Sequence, residues 1–118
     1  MNLETPVTGS PFFDPAELLA GSPPPRKATI MDGAQLFLGM NVYAPGDGQS
    51  PHVHADQDKV YIVTEGEGDF QVGEETRRCG TGSVISADAG VVHGVTNPGP
   101  GRLVLLVAMA PPPARGRS

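Results

Sequence analysis

One cysteine, no tryptophan and an aromatic content of only 5% set the first limits on this 118-residue chain. A single thiol closes no internal disulfide, so the sequence carries no sign of an oxidising compartment. Basic residues are also scarce: 8 Lys and Arg stand against 13 Asp and Glu, a net charge of -5. Such a chain lacks the positive footprint that nucleic acid or an anionic membrane surface requires, which leaves small molecules, metals or proteins as expected partners. No apolar run approaches the roughly 18 to 20 residues of a membrane span. The start, MNLETPVTGS, has no basic segment followed by an apolar one, so cytoplasm is the default expectation.

What the chain does have is turn residues. Sixteen glycines and 13 prolines accompany 38% hydrophobic residues, a composition of short elements joined by many turns. Residues 1–25 hold six of the prolines and read as an arm that resists regular structure. One or two helical turns are expected inside it at Asp14–Gly21, where Asp14 supplies an N-cap, Pro15 the first helical position and Gly21 a stop. Phe12, Phe13, Leu18 and Leu19 would pin the arm onto the domain or onto a second subunit.

From Lys27 to Met109 the pattern turns to strands. Lys27–Met31, Ala34–Tyr43 with alternating Leu36, Leu38, Met40 and Val42, Asp69–Val72, Thr76–Cys79, Ser83–Ser86 and Leu103–Met109 are separated by Gly or Pro turns. With no long helix and no internal repeat among them, the sequence predicts an all-β sandwich or barrel over residues 26–110. Residues 111–118, three prolines followed by ARGRS, are expected to be a disordered tail.

All three histidines fall in this region. His52 and His54 sit at i and i+2, so in an extended strand their imidazoles project to the same face. His93 lies some forty residues on, a separation a barrel can bring into register. Three neutral imidazole nitrogens with open positions suit one divalent ion, with Fe, Zn, Ni, Mn and Cu as candidates.

These residues also carry a resemblance. Gly46, His52-Val53-His54 and Gly66 resemble the first motif of the cupins, G-x5-H-x-H-x(3 or 4)-E-x6-G. Gly82, Asp88-Ala89-Gly90, His93 and Asn97 are similar to the second, G-x5-P-x-G-x2-H-x3-N. The resemblance spans about residues 34–109. It implies a small antiparallel jelly-roll barrel, a metal site in its mouth built from His52, His54 and His93, and commonly a homodimer.

Two positions depart from the pattern. Asp88 replaces a proline, and the motif's glutamate is missing. Counting six residues back from Gly66 puts the glutamate position at Lys59, whereas the shorter spacing from His54 puts it at Asp58. Lys59, Tyr61 and Val63 share one strand face, and a slip of one residue would reverse the whole strand. The closing glycine favours Lys59 as the inward residue; Asp58 would need a bulge. A charged ammonium has no lone pair and cannot ligate. Lys59 is therefore neutral, displaced from the metal, or the cause of weak metal binding.

What remains resembles the three-histidine iron sites of some cupin dioxygenases. In that reading Lys59 and Tyr61 are candidate catalytic residues that orient a small polar or anionic substrate. The rival reading is a non-catalytic cupin with weak or absent metal, binding a small ligand or a regulatory partner. Cys79 reads as an inert small hydrophobe, and Glu74, Glu75, Arg77 and Arg78 as a solvated hairpin.

Overall fold

Side-chain alternation at period two decides most of this architecture. The computed structural model describes residues 3–4, 11–19 and 26–113. Among them run β1 (Leu3–Glu4), α1 (Pro15–Leu19), β2 (Arg26–Asp32), β3 (Phe37–Tyr43), β4 (Gly48–His52) and β5 (Asp58–Glu65). β6 (Glu67–Val72), β7 (Glu75–Gly80), β8 (Val84–Ala87), β9 (His93–Thr96) and β10 (Leu103–Ala110) complete the order. A six-stranded sheet, β1-β2-β3-β10-β5-β8, faces a four-stranded one, β4-β9-β6-β7. All the pairings are antiparallel except that of β1 with β2, giving the expected all-β jelly-roll barrel.

One face of each strand fills the barrel. On β5 Lys59, Tyr61 and Val63 are buried while the alternate positions are less so. Leu103, Leu105, Val107 and Met109 of β10 join Phe37, Tyr43, Phe70 and Val95 in the main core. β10 is apolar on its other face as well because that face is covered: Val104 packs with Ile30, Met40, Val42 and Leu18 of α1 in a second cluster. The Met40 and Val42 alternation seen in the sequence thus belongs to the outside of the sheet. The strand also starts later than expected, at Phe37, since Gly33 N–H donates to the Leu36 carbonyl at 2.9 Å and leaves residues 34–36 to the hairpin turn.

The short helix forms where its capping signals lie. Asp14 Oδ1 accepts from Ala16 N–H at 3.0 Å, satisfying one of the donors left open at a helix start. Burying Leu18 there contributes about 1.5–3 kcal/mol relative to exposure. Phe12, by contrast, is 83% exposed. The arm departs from the expectation that it resists strand structure at β1, whose extended backbone pairs in parallel with the open edge of β2. Residues 20–25, with the expected stop at Gly21 and the proline run Pro23–Pro25, and the tail at 114–118 lie outside the described residues. No helix among the described residues is long and apolar enough to cross a membrane.

Gly66 closes β5 and sets its register. It sits at φ +84°, and a Cβ there would collide with the Arg102 carbonyl. Only glycine meets both demands, which is why this residue marks where β5 ends and which of its residues face inward.

Candidate metal centre

The three histidines are brought together by the pairing of β4 with β9, which places His52 directly opposite His93. Their ring centroids are 4.3 Å apart. His54 lies two residues beyond β4, 4.7 Å from His52 and 5.5 Å from His93 between ring centroids. Its loop is tied down by Gly90 N–H, which donates to the His54 carbonyl at 2.8 Å. Glycine at position 94 lets β4 come this close, since a Cβ there would press on Gln49 and Pro51 backbone atoms at 2.9–3.1 Å.

Local hydrogen bonds select the tautomers of two of the rings. His52 Nδ1 is 2.8 Å from the Ser50 carbonyl, and His93 Nδ1 is 2.9 Å from that of Val91. A carbonyl accepts only, so each Nδ1 carries the hydrogen and each Nε2 keeps a lone pair. The Nε2 atoms of His52, His54 and His93 are all buried without a hydrogen-bond partner. Buried polar atoms are almost always paired, and three such exceptions in one place call for a common explanation. The candidate ligand atoms lie within 4.8 Å of one another, so the three residues can hold a metal ion. Backbone carbonyls gripping Nδ1 are also how metal-binding imidazoles are commonly oriented.

The electrostatics agree with a neutral donor set. Burial lowers the pKa of all three histidines below 6.5, and the charge of Lys59 lowers each further. At neutral pH the lone pairs are therefore available. Among the described residues no carboxylate joins the group.

Lys59 and not Asp58 takes the inward position. Lys59 is 2% exposed, and its Nζ donates to Gln49 Oε1 at 3.2 Å. Asp58 is exposed, and its Oδ1 accepts from Ala89 N–H at 2.8 Å, which fastens the turn leading to His93. Burial first, then the charge of Lys27, pushes the Lys59 ammonium down to about 8. Tyr61 is fully buried, and its hydroxyl donates to the same Gln49 Oε1 at 3.2 Å. Burial, helped by Tyr43, holds its pKa well above the ordinary 10.0, so this phenol is a donor at all physiological pH. Its ring is near both groups, its centre 5.1 Å from Lys59 Nζ and 6.2 Å from that of the His93 ring.

Gln49 escaped the sequence reading. A bulge between Gln49 and His52 breaks the period-two rule in β4, and nothing in the sequence around Pro51 marks its position. Asn97, read only as a motif position, organises a loop: its Nδ2 donates to the Tyr43 and Gly101 carbonyls, both at 2.9 Å, and its Oδ1 accepts from Gly99 N–H at 2.8 Å.

A barrel of two facing, mostly antiparallel sheets with converging histidines defines a class, and comparison with known proteins names it. The Cupin domain family matches residues 39–109, and the chain belongs to that family. The crystal structure of TT1209 from Thermus thermophilus is 35% identical, with a TM-score of 0.76 over 86% of this chain and 98% of that one. The crystal structure of BH2720 from Bacillus halodurans shares the fold at 22% identity, with a TM-score of 0.80 over 97% of this chain and 90% of that one. The uncharacterized protein SCO3923 of Streptomyces coelicolor is 45% identical over 47 residues, 40% of this chain, and the match spans only 42% of that relative.

Proposed function

We propose that this cupin holds one divalent metal ion through His52, His54 and His93 and takes a small polar or anionic ligand at the positions those residues leave open. The observation that carries the reading is the set of three buried, unpaired Nε2 atoms. When bound, the ion would supply Lewis-acid or redox chemistry on an oxygen of the ligand, as a dioxygenase-like or isomerase-like enzyme requires. The chain's own part is to hold three neutral donors and to place two proton-bearing groups, Lys59 and Tyr61, beside them. Tyr61 stays a protonated phenol that can donate a hydrogen bond; Lys59, brought down to about 8, can give or take a proton near neutral pH.

Isothermal calorimetry of the untagged protein with Zn(II) and Fe(II) tests this. One equivalent should bind, and His93→Ala should lose most of the affinity. Undiminished binding in that variant would refute the ligand set.

A second reading, a metal-poor ligand-binding cupin, is favoured by the buried Lys59 ammonium where the family motif has a carboxylate. Absence of binding in the same titration would select it. We also propose a homodimer, as the family resemblance implies, with exposed Phe12 forming part of its contact. Light scattering should then give twice 12.2 kDa.

A further inference from the structure

We propose that two copies of this chain meet through the outer face of the six-stranded sheet, Ile62 and Val84 of each copy lying against the other. The proposal rests on the homodimer reading above and says which face carries it.

Strand register lays this face out in rows. Met40, Leu106, Ile62 and Val84 stand side by side across β3, β10, β5 and β8. The next row holds Leu38, Ala108, Val60 and Ser86. Only Ser86 among them is polar, and none is charged. An antiparallel sheet whose outer face meets water alternates apolar and polar residues, and the four-stranded sheet of this barrel obeys that rule. Its outer positions include Asp69, Gln71, Thr76, Arg78 and Thr96. The two outer faces differ in kind, and the apolar one has the composition of a sheet covered on both sides.

The chain itself covers one end of that face. Leu18 of α1 packs with Met40, Val42 and Val104, and Met40 is fully buried. Further along the row Leu106 and Ile62 are half-buried, and Val84 is 64% exposed. α1 has five residues, about 7.5 Å of helix, whereas four strands span about 19 Å. The helix therefore cannot reach from Met40 to Val84.

A second copy fits what is missing. The segment leading into α1 presents Phe12, 83% exposed, and Phe13, 36% exposed. One molecule thus carries both an apolar face and aromatic side chains to lay on it, the self-complementarity that a two-fold interface needs. A net charge of -5 makes copies repel through most of their surface, and an uncharged face is where they can approach without burying an unpaired charge. The size is adequate too. Four strands by about seven residues give a flat footprint of roughly 430 Å², and a buried phenyl ring adds about 150 Å², close to the roughly 600 Å² per partner at the lower end of stable interfaces.

Sedimentation equilibrium of the full chain, from about 1 to about 200 µM, tests the proposal. Wild type should approach twice 12.2 kDa. Val84→Lys and Ile62→Lys each put an ammonium into the row and should weaken dimerisation at least about 30-fold, as burying an unpaired charge implies. Both also reduce the net negative charge, so general repulsion would change in the opposite sense. Thr76→Lys, on the outer face of the other sheet, should leave the dimer as it is. Urea unfolding accompanies each variant; if Ile62→Lys lowers the midpoint, Val84→Lys decides, since Val84 is already exposed in the single chain.

Undiminished dimerisation of Val84→Lys would overturn the proposal and leave the homodimer standing, as would an equal loss in Thr76→Lys. A wild type that stays at 12.2 kDa throughout would overturn both readings and leave this face to a different partner.

Discussion

Replacing Lys59 by methionine should make the metal-free protein more stable. The two side chains have similar volumes, so the barrel need not repack, and Gln49 Oε1 keeps its bond from Tyr61. What changes is the charge. In the folded chain Lys59 titrates at about 8 against an ordinary 10.5. The folded state therefore holds this proton less tightly than the unfolded one. The cost of the charge is fully present below pH 8 and is relieved as pH rises from 8 through 10.5. The shift corresponds to about 3 kcal/mol at pH 7, falling to about 1 kcal/mol at pH 10. Urea unfolding with a chelator present, for wild type and Lys59→Met at both pH values, should show the variant ahead by those amounts with unchanged m-values. A variant no more stable at pH 7, or a gap that does not narrow with pH, would refute the claim that Lys59 is a buried charge paired with no carboxylate among the described residues.

Other outcomes follow from the same geometry. Because burial and Lys59 hold the three imidazoles below 6.5, protons should not compete with metal at pH 7, and affinity should begin to fall only below pH 6.5; a titration showing the loss already between pH 8 and 7 would contradict this. Asp58→Asn should leave metal affinity unchanged and cost less than about 1 kcal/mol in urea, since its carboxylate serves Ala89 at an exposed turn. Leu18→Ala should cost about 2 kcal/mol by removing the plug of the outer cluster, without altering metal affinity. Equal stability of that variant and wild type would mean that α1 is not held against the sheet.

The parts of this structure that the sequence made legible are those governed by local rules. Asp14 and Pro15 announce α1 because a helix start needs a side-chain acceptor and tolerates a missing N–H. Gly66 announces the end of β5, and period-two alternation then places Lys59 and Tyr61 inward without further information. The meeting of His93 with His52 came from motif resemblance, for no local rule pairs β4 with β9 across forty residues. Other features stayed hidden for physical reasons. Gln49 reaches the site through a bulge, which period-two counting cannot foresee. The sequence predicts that Leu18 pins the arm to the domain or to a second subunit, but which face of the sheet it meets is not legible, since apolar alternation on β3 looks the same whether it faces the barrel or its back. Asp58 is expected to face outward, but its partner Ala89, thirty-one residues away, is not foreseeable.

The central claim is that three buried, unpaired imidazole nitrogens exist to hold one metal ion. It is tested most directly by the metal content of untagged protein, measured by mass spectrometry after incubation with Fe(II), Zn(II), Ni(II), Mn(II) or Cu(II) and removal of excess. The account predicts close to one equivalent of at least one of these ions in wild type and its loss when His52 and His93 are both replaced by alanine. Less than about a tenth of an equivalent for every ion would contradict it.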